Sequence, residues 1–172
     1  KRNLEIIEFE PGQIMNFRKL ARAGISKEDI RDFCDAVYNF VPDDSYFSTQ
    51  SLKADGFESE LYDLGFSDWF YGNLLLADDR FSYTNTFGNI VLYKGRKEIT
   101  IQSFLVDRIG SHGWIDTYDL MTELESRFGC TADEKSNITH RLKNTQVYYD
   151  KILDRLYANV DLYYRDLDEG GF

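Results

Sequence analysis

The sequence predicts an α+β fold, mainly helical with small β-hairpins, arranged as two copies of one module behind an N-terminal strand and helix arm. Three observations predict it. Apolar residues recur at helical spacing in several short blocks separated by Gly, Pro and Asp punctuation. Two β-rich hairpins follow those blocks, one near the middle of the chain and one near its end. The order of blocks before the second hairpin repeats the order before the first.

The arm covers residues 1–25. Leu4-Glu5-Ile6-Ile7-Glu8-Phe9 reads as a strand stopped by Pro11-Gly12, and residues 13–22 place Ile14, Phe17 and Ala21 on one helical face. The first module covers 26–97. Ser26-Lys27-Glu28-Asp29 opens its first helix as a capping box, and Ile30, Phe33, Cys34, Val37 and Val41 follow at helical spacing. Tyr46–Leu52 reads as an extended lead-in to a second helix with Phe57, Leu61 and Leu64 inward. Ser67-Asp68 starts a third, apolar almost all round. Arg80–Tyr83 and Asn89–Tyr93 then form a hairpin across residues 84–88.

Gly95-Arg96-Lys97 is a hinge, and the second module covers 98–172. Ile101, Phe104, Leu105 and Ile109 form a helix face stopped by Gly110. Trp114–Leu120 is extended, and Leu120, Met121, Leu124 and Phe128 face inward from the next helix. Thr131–Glu134 reads as a capping box for a third helix over 133–144, with Ile138 and Leu142 inward. Val147–Tyr149 and Arg155–Tyr157 make the second hairpin, and Val160–Leu167 a closing helix. At a spacing of about 68 residues Tyr46–Leu52 falls on Trp114–Leu120 and Phe81 on Tyr149.

This order, helix, extended lead-in, helix, helix and hairpin, resembles the winged-helix (winged helix-turn-helix) family over residues 26–94 and 98–158. The likeness rests on element order and apolar spacing. It implies a small three-helix core closed by a two-stranded wing in each half, in tandem within a larger, bacterial-type protein. The missing initiator Met also points to a piece of a longer chain.

Charge and composition narrow the function. The chain carries a net charge of −10, an acidic balance that disfavours DNA, whose binding draws affinity from a basic stripe. No apolar run is long enough for a membrane span and no signal peptide is visible, so a cytoplasmic protein is expected. Cys34 and Cys130 read as two buried thiols, and Asn137-Ile138-Thr139 as a chance match to a glycosylation acceptor. His112 and His140 stand apart from both cysteines, so no metal site and no cofactor is expected. Asp43-Asp44 and Asp78-Asp79 fall in turns. No phosphate loop or nucleophile motif is present, and the chain is read as no enzyme.

Binding is the remaining role. The expected function is a non-catalytic interaction region, with winged-helix modules docking a protein partner or other domains of the same chain. Trp69, Phe70 and Tyr71 lie on an apolar helix without Lys or Arg that must be buried in its own core, against the other module or against a partner, and for a partner they are the candidate contacts. The alternative is a transcription-associated region, a regulator or RNA polymerase accessory piece, whose second module touches DNA. In DNA-binding relatives the third helix enters the major groove. The resemblance therefore points to Lys135, Asn137, Thr139, Arg141 and Lys143, with Lys151 and Arg155 on the wing.

Overall fold

The computed structural model describes residues 6–170, with the side chain of Ile6 outside the description. Leu4 and Glu5 of the expected first strand lie outside the described residues. The fold is α+β, with helices and three small antiparallel sheets. It divides into two compact units: Lys1–Ile99 together with Arg127–Gly129, and Thr100–Ser126 together with Cys130–Phe172. The division falls two residues past the expected hinge.

In the first unit, β1 (Ile6–Glu10) pairs with β2 (Gln13–Asn16), and α1 (Phe17–Arg22) follows. The expected helix over 13–22 is therefore half strand. Asn16 decides where helix begins, because its side chain accepts from the Lys19 N–H as an N-cap. Nor do the described residues up to 25 form a separate arm. Ile7, Leu20 and Ile25 are buried in the same core as Phe33, Val37 and Phe70.

Helix α2 (Lys27–Phe40) starts at the expected capping box. Ser26 Oγ accepts from the Asp29 N–H at 3.0 Å, and Asp29 accepts from the Ser26 N–H at 2.6 Å. It buries Ile30, Phe33, Cys34 and Val37, as the spacing predicts. Strand β3 is only Tyr46–Phe47, because Ser48 and Ser51 cap each other reciprocally and α3 (Thr49–Ala54) begins at once. The expected second helix stops early, at Gly56 with φ +89°. Phe57 is still buried, but Leu61 sits in a 3₁₀ turn, Glu60–Leu64, and Leu64 is exposed. Helix α4 (Asp68–Leu75) is capped by Ser67 and runs into the hairpin of β4 (Phe81–Thr86) and β5 (Asn89–Lys94). The strands pair up to Thr86–Asn89, so the connection is just Phe87-Gly88 and not residues 84–88.

In the second unit, α5 (Ile101–His112) buries Phe104, Leu105 and Ile109. Gly110 does not stop it; the helix runs on until Gly113 turns the chain at φ +78°. Strand β6 (Trp114–Asp116) leads straight into α6 (Thr117–Phe128), which buries Leu120, Leu124 and Phe128. Helix α7 is short, Lys135–Thr139, and buries Ile138. Strands β7 (Tyr148–Asp150) and β8 (Arg155–Tyr157) precede α8 (Val160–Glu169).

Each unit contains a three-stranded sheet of the same strand order. The sheets are ordered β3-β5-β4 and β6-β8-β7, so in each the short early strand lies beside the second hairpin strand. Their ladders match: Tyr46–Tyr93, Phe47–Leu92 and Tyr83–Leu92 in one, Trp114–Tyr157, Ile115–Leu156 and Tyr149–Leu156 in the other. Tyr83, not Phe81, therefore answers to Tyr149. A two-residue shift keeps each side chain on its face, so alternation alone does not reveal it.

Candidate functional site

The expected interaction residues of the first unit are in its core. Phe70 and Tyr71 are buried, ringed by Phe66, Phe33 and Tyr62, and the Tyr71 hydroxyl donates to the Leu61 carbonyl. Trp69 is half-buried against the same cluster. An apolar helix with no charged face between its ends is buried by its own sheet and neighbouring helices. Phe70 and Tyr71 are therefore withdrawn as contacts for a partner.

A polar cavity of about 450 Å³ lies elsewhere in this unit, lined by Tyr38, Asp43, Asp44, Arg80, Lys94, Gly95 and Arg96. Two of its three cations are engaged. Arg80 pairs with Asp35 and Asp78, and Lys94 with Asp43, while both lie over the Tyr38 ring at 4.4 and 4.2 Å. That network fastens the end of α2 to the hairpin.

In the second unit, the residues the resemblance singled out are only partly assembled. The third helix is five residues long and not twelve. Glu134 is its N-cap with no side-chain cap bond, because Glu134 instead accepts from the Ser136 hydroxyl. Thr131 stands too far upstream, and Ala132 is buried. Beyond Thr139 the chain turns, with the carbonyls of Arg141 and Lys143 accepting from Gln102 Nε2 and Asn144 at φ +65°. Arg141 and Lys143 are exposed on this turn, and Asn137 and Thr139 are half-buried on α7.

Two of the cations are neutralised. Lys135 pairs with Asp154 at 3.1 Å. Arg155 donates to Asp116 at 3.1 Å and to Asp166 at 3.5 Å, and its guanidinium stacks on the Trp114 indole. It occupies the sheet face that α8 covers, and so is not a wing contact. Lys151 is exposed at the wing tip.

The loop between β7 and β8 is closed by hydrogen bonds and has an apolar end. Asp150 Oδ1 accepts the N–H groups of Ile152 and Leu153, closing the turn. Asp154, at φ +55°, anchors its far side. The Asp154 carbonyl accepts from the Thr117 N–H at 3.0 Å, and its carboxylate accepts from the Tyr149 hydroxyl and from Lys135. These donors, the Tyr149 hydroxyl first among the lowering causes, hold the Asp154 carboxyl below the ordinary carboxylate range. The tip then shows solvent Ile152, 94% exposed, and Leu153, 47% exposed, with Tyr118, 76% exposed, next to the anchoring Thr117. Sequence reasoning missed all three, although an Ile-Leu pair inside a polar hairpin loop is a visible signal.

The opposite face of the sheet is covered by α8. Tyr163 packs against Tyr148 and Tyr157, and Asp166 accepts from the Tyr157 hydroxyl at 2.7 Å.

His112 pairs with Glu123 at 2.5 Å, Cys34 and Cys130 are buried thiols outside any disulfide, and among the described residues no three His, Cys, Asp or Glu side chains group as metal ligands. Among the described residues no helix is long and apolar enough to cross a membrane. In comparisons with protein-family models, with curated proteins and with solved structures, nothing matches this chain.

Proposed function

We propose that the chain is a non-catalytic interaction region whose two modules, winged-helix-like in element order, dock a protein partner. The observation that carries this reading is the wing tip of the second unit. A loop held by Asp150 and Asp154 presents Ile152 and Leu153 to solvent, and Tyr118, which follows the Thr117 that bonds Asp154, is exposed as well. A hydrogen-bonded loop with an apolar tip binds with little ordering entropy, and an exposed aromatic is a common interface anchor. A wing that met DNA phosphate would carry cations there, and this one has Lys151 flanked by Asp150 and Asp154.

The DNA reading retains the exposed Arg141, Lys143 and Lys151 and is separated by experiment. A photo-crosslinking residue at Ile152 is expected to yield a protein adduct that disappears in a Tyr118→Asp background. Labelled random duplex is expected to show no binding at low salt. Duplex affinity that falls steeply with salt, and weakens in Lys143→Ala and Lys151→Ala, would replace docking by DNA contact.

A further inference from the structure

The closing helix carries a second surface that the wing does not use. Helix α8 turns Tyr163 and Asp166 to the sheet, where they meet Tyr148, Tyr157 and Arg155. Val160, Tyr164 and Leu167 stand at i, i+4 and i+7 and are each more than two-fifths exposed. That spacing puts all three in one stripe along the helix, bordering the Tyr163 anchor on the side away from Asp166. Scattered apolar residues on a surface are ordinary, but three in register on one helix form a strip another helix can pack against.

Charge selects the occupant. Asp161 and Asp168, seven residues apart, run along one side of the stripe and are exposed. Beside them Arg165 is the helix's single cation, while Arg155 is already engaged by Asp116 and Asp166. A second copy of the chain would bring the same carboxylates and another −10 of charge against them. A helix with an apolar face bordered by Lys or Arg would bury the stripe and meet the carboxylates at its rim.

We infer that the Val160–Tyr164–Leu167 stripe of α8, with Asp161 and Asp168 beside it, is a docking face for a basic amphipathic helix of a partner protein.

The test uses the whole chain and two synthetic helical peptides of about 18 residues with the same leucine face. One has lysine and the other glutamate on its polar side. The lysine peptide is expected to bind and the glutamate peptide not. Tyr164→Asp and Leu167→Asp, each checked for native circular dichroism, are expected to weaken the lysine peptide by about tenfold or more. Both variants add negative charge, so diffuse attraction between an acidic protein and a basic peptide would make binding tighter instead. Ile152→Asp, at the wing tip, is expected to leave the peptide's affinity unchanged, which keeps failure of this face distinct from failure of wing docking. Unchanged or tighter binding in the α8 variants overturns the inference. So does self-association of the chain that Tyr164→Asp abolishes.

Discussion

Arg155 lays its guanidinium over the Trp114 indole, 3.8 Å from the ring centroid, while donating to Asp116 on β6 and Asp166 on α8. One side chain thus ties an edge strand, the central strand and the closing helix together. Arg suits this position because its planar cation stacks and donates in several directions, which a Lys ammonium does not do.

Removing it has a definite consequence. Arg155→Ala loses the stack and leaves Asp116 and Asp166 facing each other without a cation. A partly buried cation–π contact contributes about 0.5–1 kcal/mol and each exposed ion pair less than about 1 kcal/mol. The expected loss is about 1–2 kcal/mol for the second unit, with Arg155→Lys in between. Denaturant unfolding followed by Trp fluorescence and circular dichroism measures it. An unchanged midpoint in Arg155→Ala would show that Tyr163 and the Tyr157–Asp166 hydrogen bond hold α8 without it.

The Tyr149–Asp154 hydrogen bond makes the β7–β8 loop sensitive at both ends of the pH scale. Asp154 is held below its ordinary value, chiefly by the Tyr149 hydroxyl. A carboxylate favoured in the folded state adds stability above its unfolded value near pH 4, and that contribution fades as pH falls through the lower folded value. Tyr149 moves the other way, pushed up to about 12 by its hydrogen bond to Asp154, then by desolvation and by that carboxylate's charge. Its contribution is complete below about pH 10 and fades between about 10 and 12. Tyr149→Phe is expected to cost about 1 kcal/mol at neutral pH. It should also bring the Asp154 titration, read by NMR, back toward the ordinary carboxylate range. An Asp154 titration indifferent to Tyr149→Phe would disprove the coupling.

The parts of the fold legible in the sequence are those governed by local rules. The Ser26–Asp29 capping box, the buried face of α2 and both hairpins follow from spacing and cap chemistry within a few residues. What was not legible depends on partners far along the chain. Residues 131–134 have the composition of a cap, yet Ala132 is buried and the helix waits for Lys135. Arg141 and Lys143 leave the helix because Gln102, about forty positions earlier, takes their carbonyls. The same holds for the candidate site. Arg155 read as a free wing cation because Asp116 and Asp166 are remote in sequence. Phe70 and Tyr71 read as buried against either the core or a partner, because an all-apolar helix does not reveal what covers it.

The two thiols give each unit its own reporter. Burial pushes both Cys34 and Cys130 up to about 12, and the Asp78 charge adds to the shift at Cys34. At neutral pH neither carries appreciable thiolate, and a buried thiol reacts only when its surroundings open. Native protein is expected to resist a thiol reagent and to take up two equivalents after unfolding in denaturant. Arg155→Ala is expected to speed labelling at Cys130 and to leave Cys34 unchanged. Rapid labelling of Cys34 in native protein would mean that the α2–α4 packing opens readily.

Stability and docking are expected to separate cleanly between Phe70 and Ile152. Phe70 is fully buried and packs on Phe66 at 4.3 Å and Tyr71 at 5.3 Å between ring centroids. Truncating such a ring removes its burial and leaves a cavity that neighbours fill only in part, so Phe70→Ala is expected to cost about 3–5 kcal/mol. Ile152 touches little of its own unit, and Ile152→Ser should change stability by less than about 0.5 kcal/mol. Partner capture should respond in the reverse sense: lost in Ile152→Ser at full stability, and retained by whatever fraction of Phe70→Ala remains folded. Thermal melts of both variants beside the crosslinking yield decide it. If Ile152→Ser melts several degrees lower, the wing tip is packed in the fold and not offered to a partner.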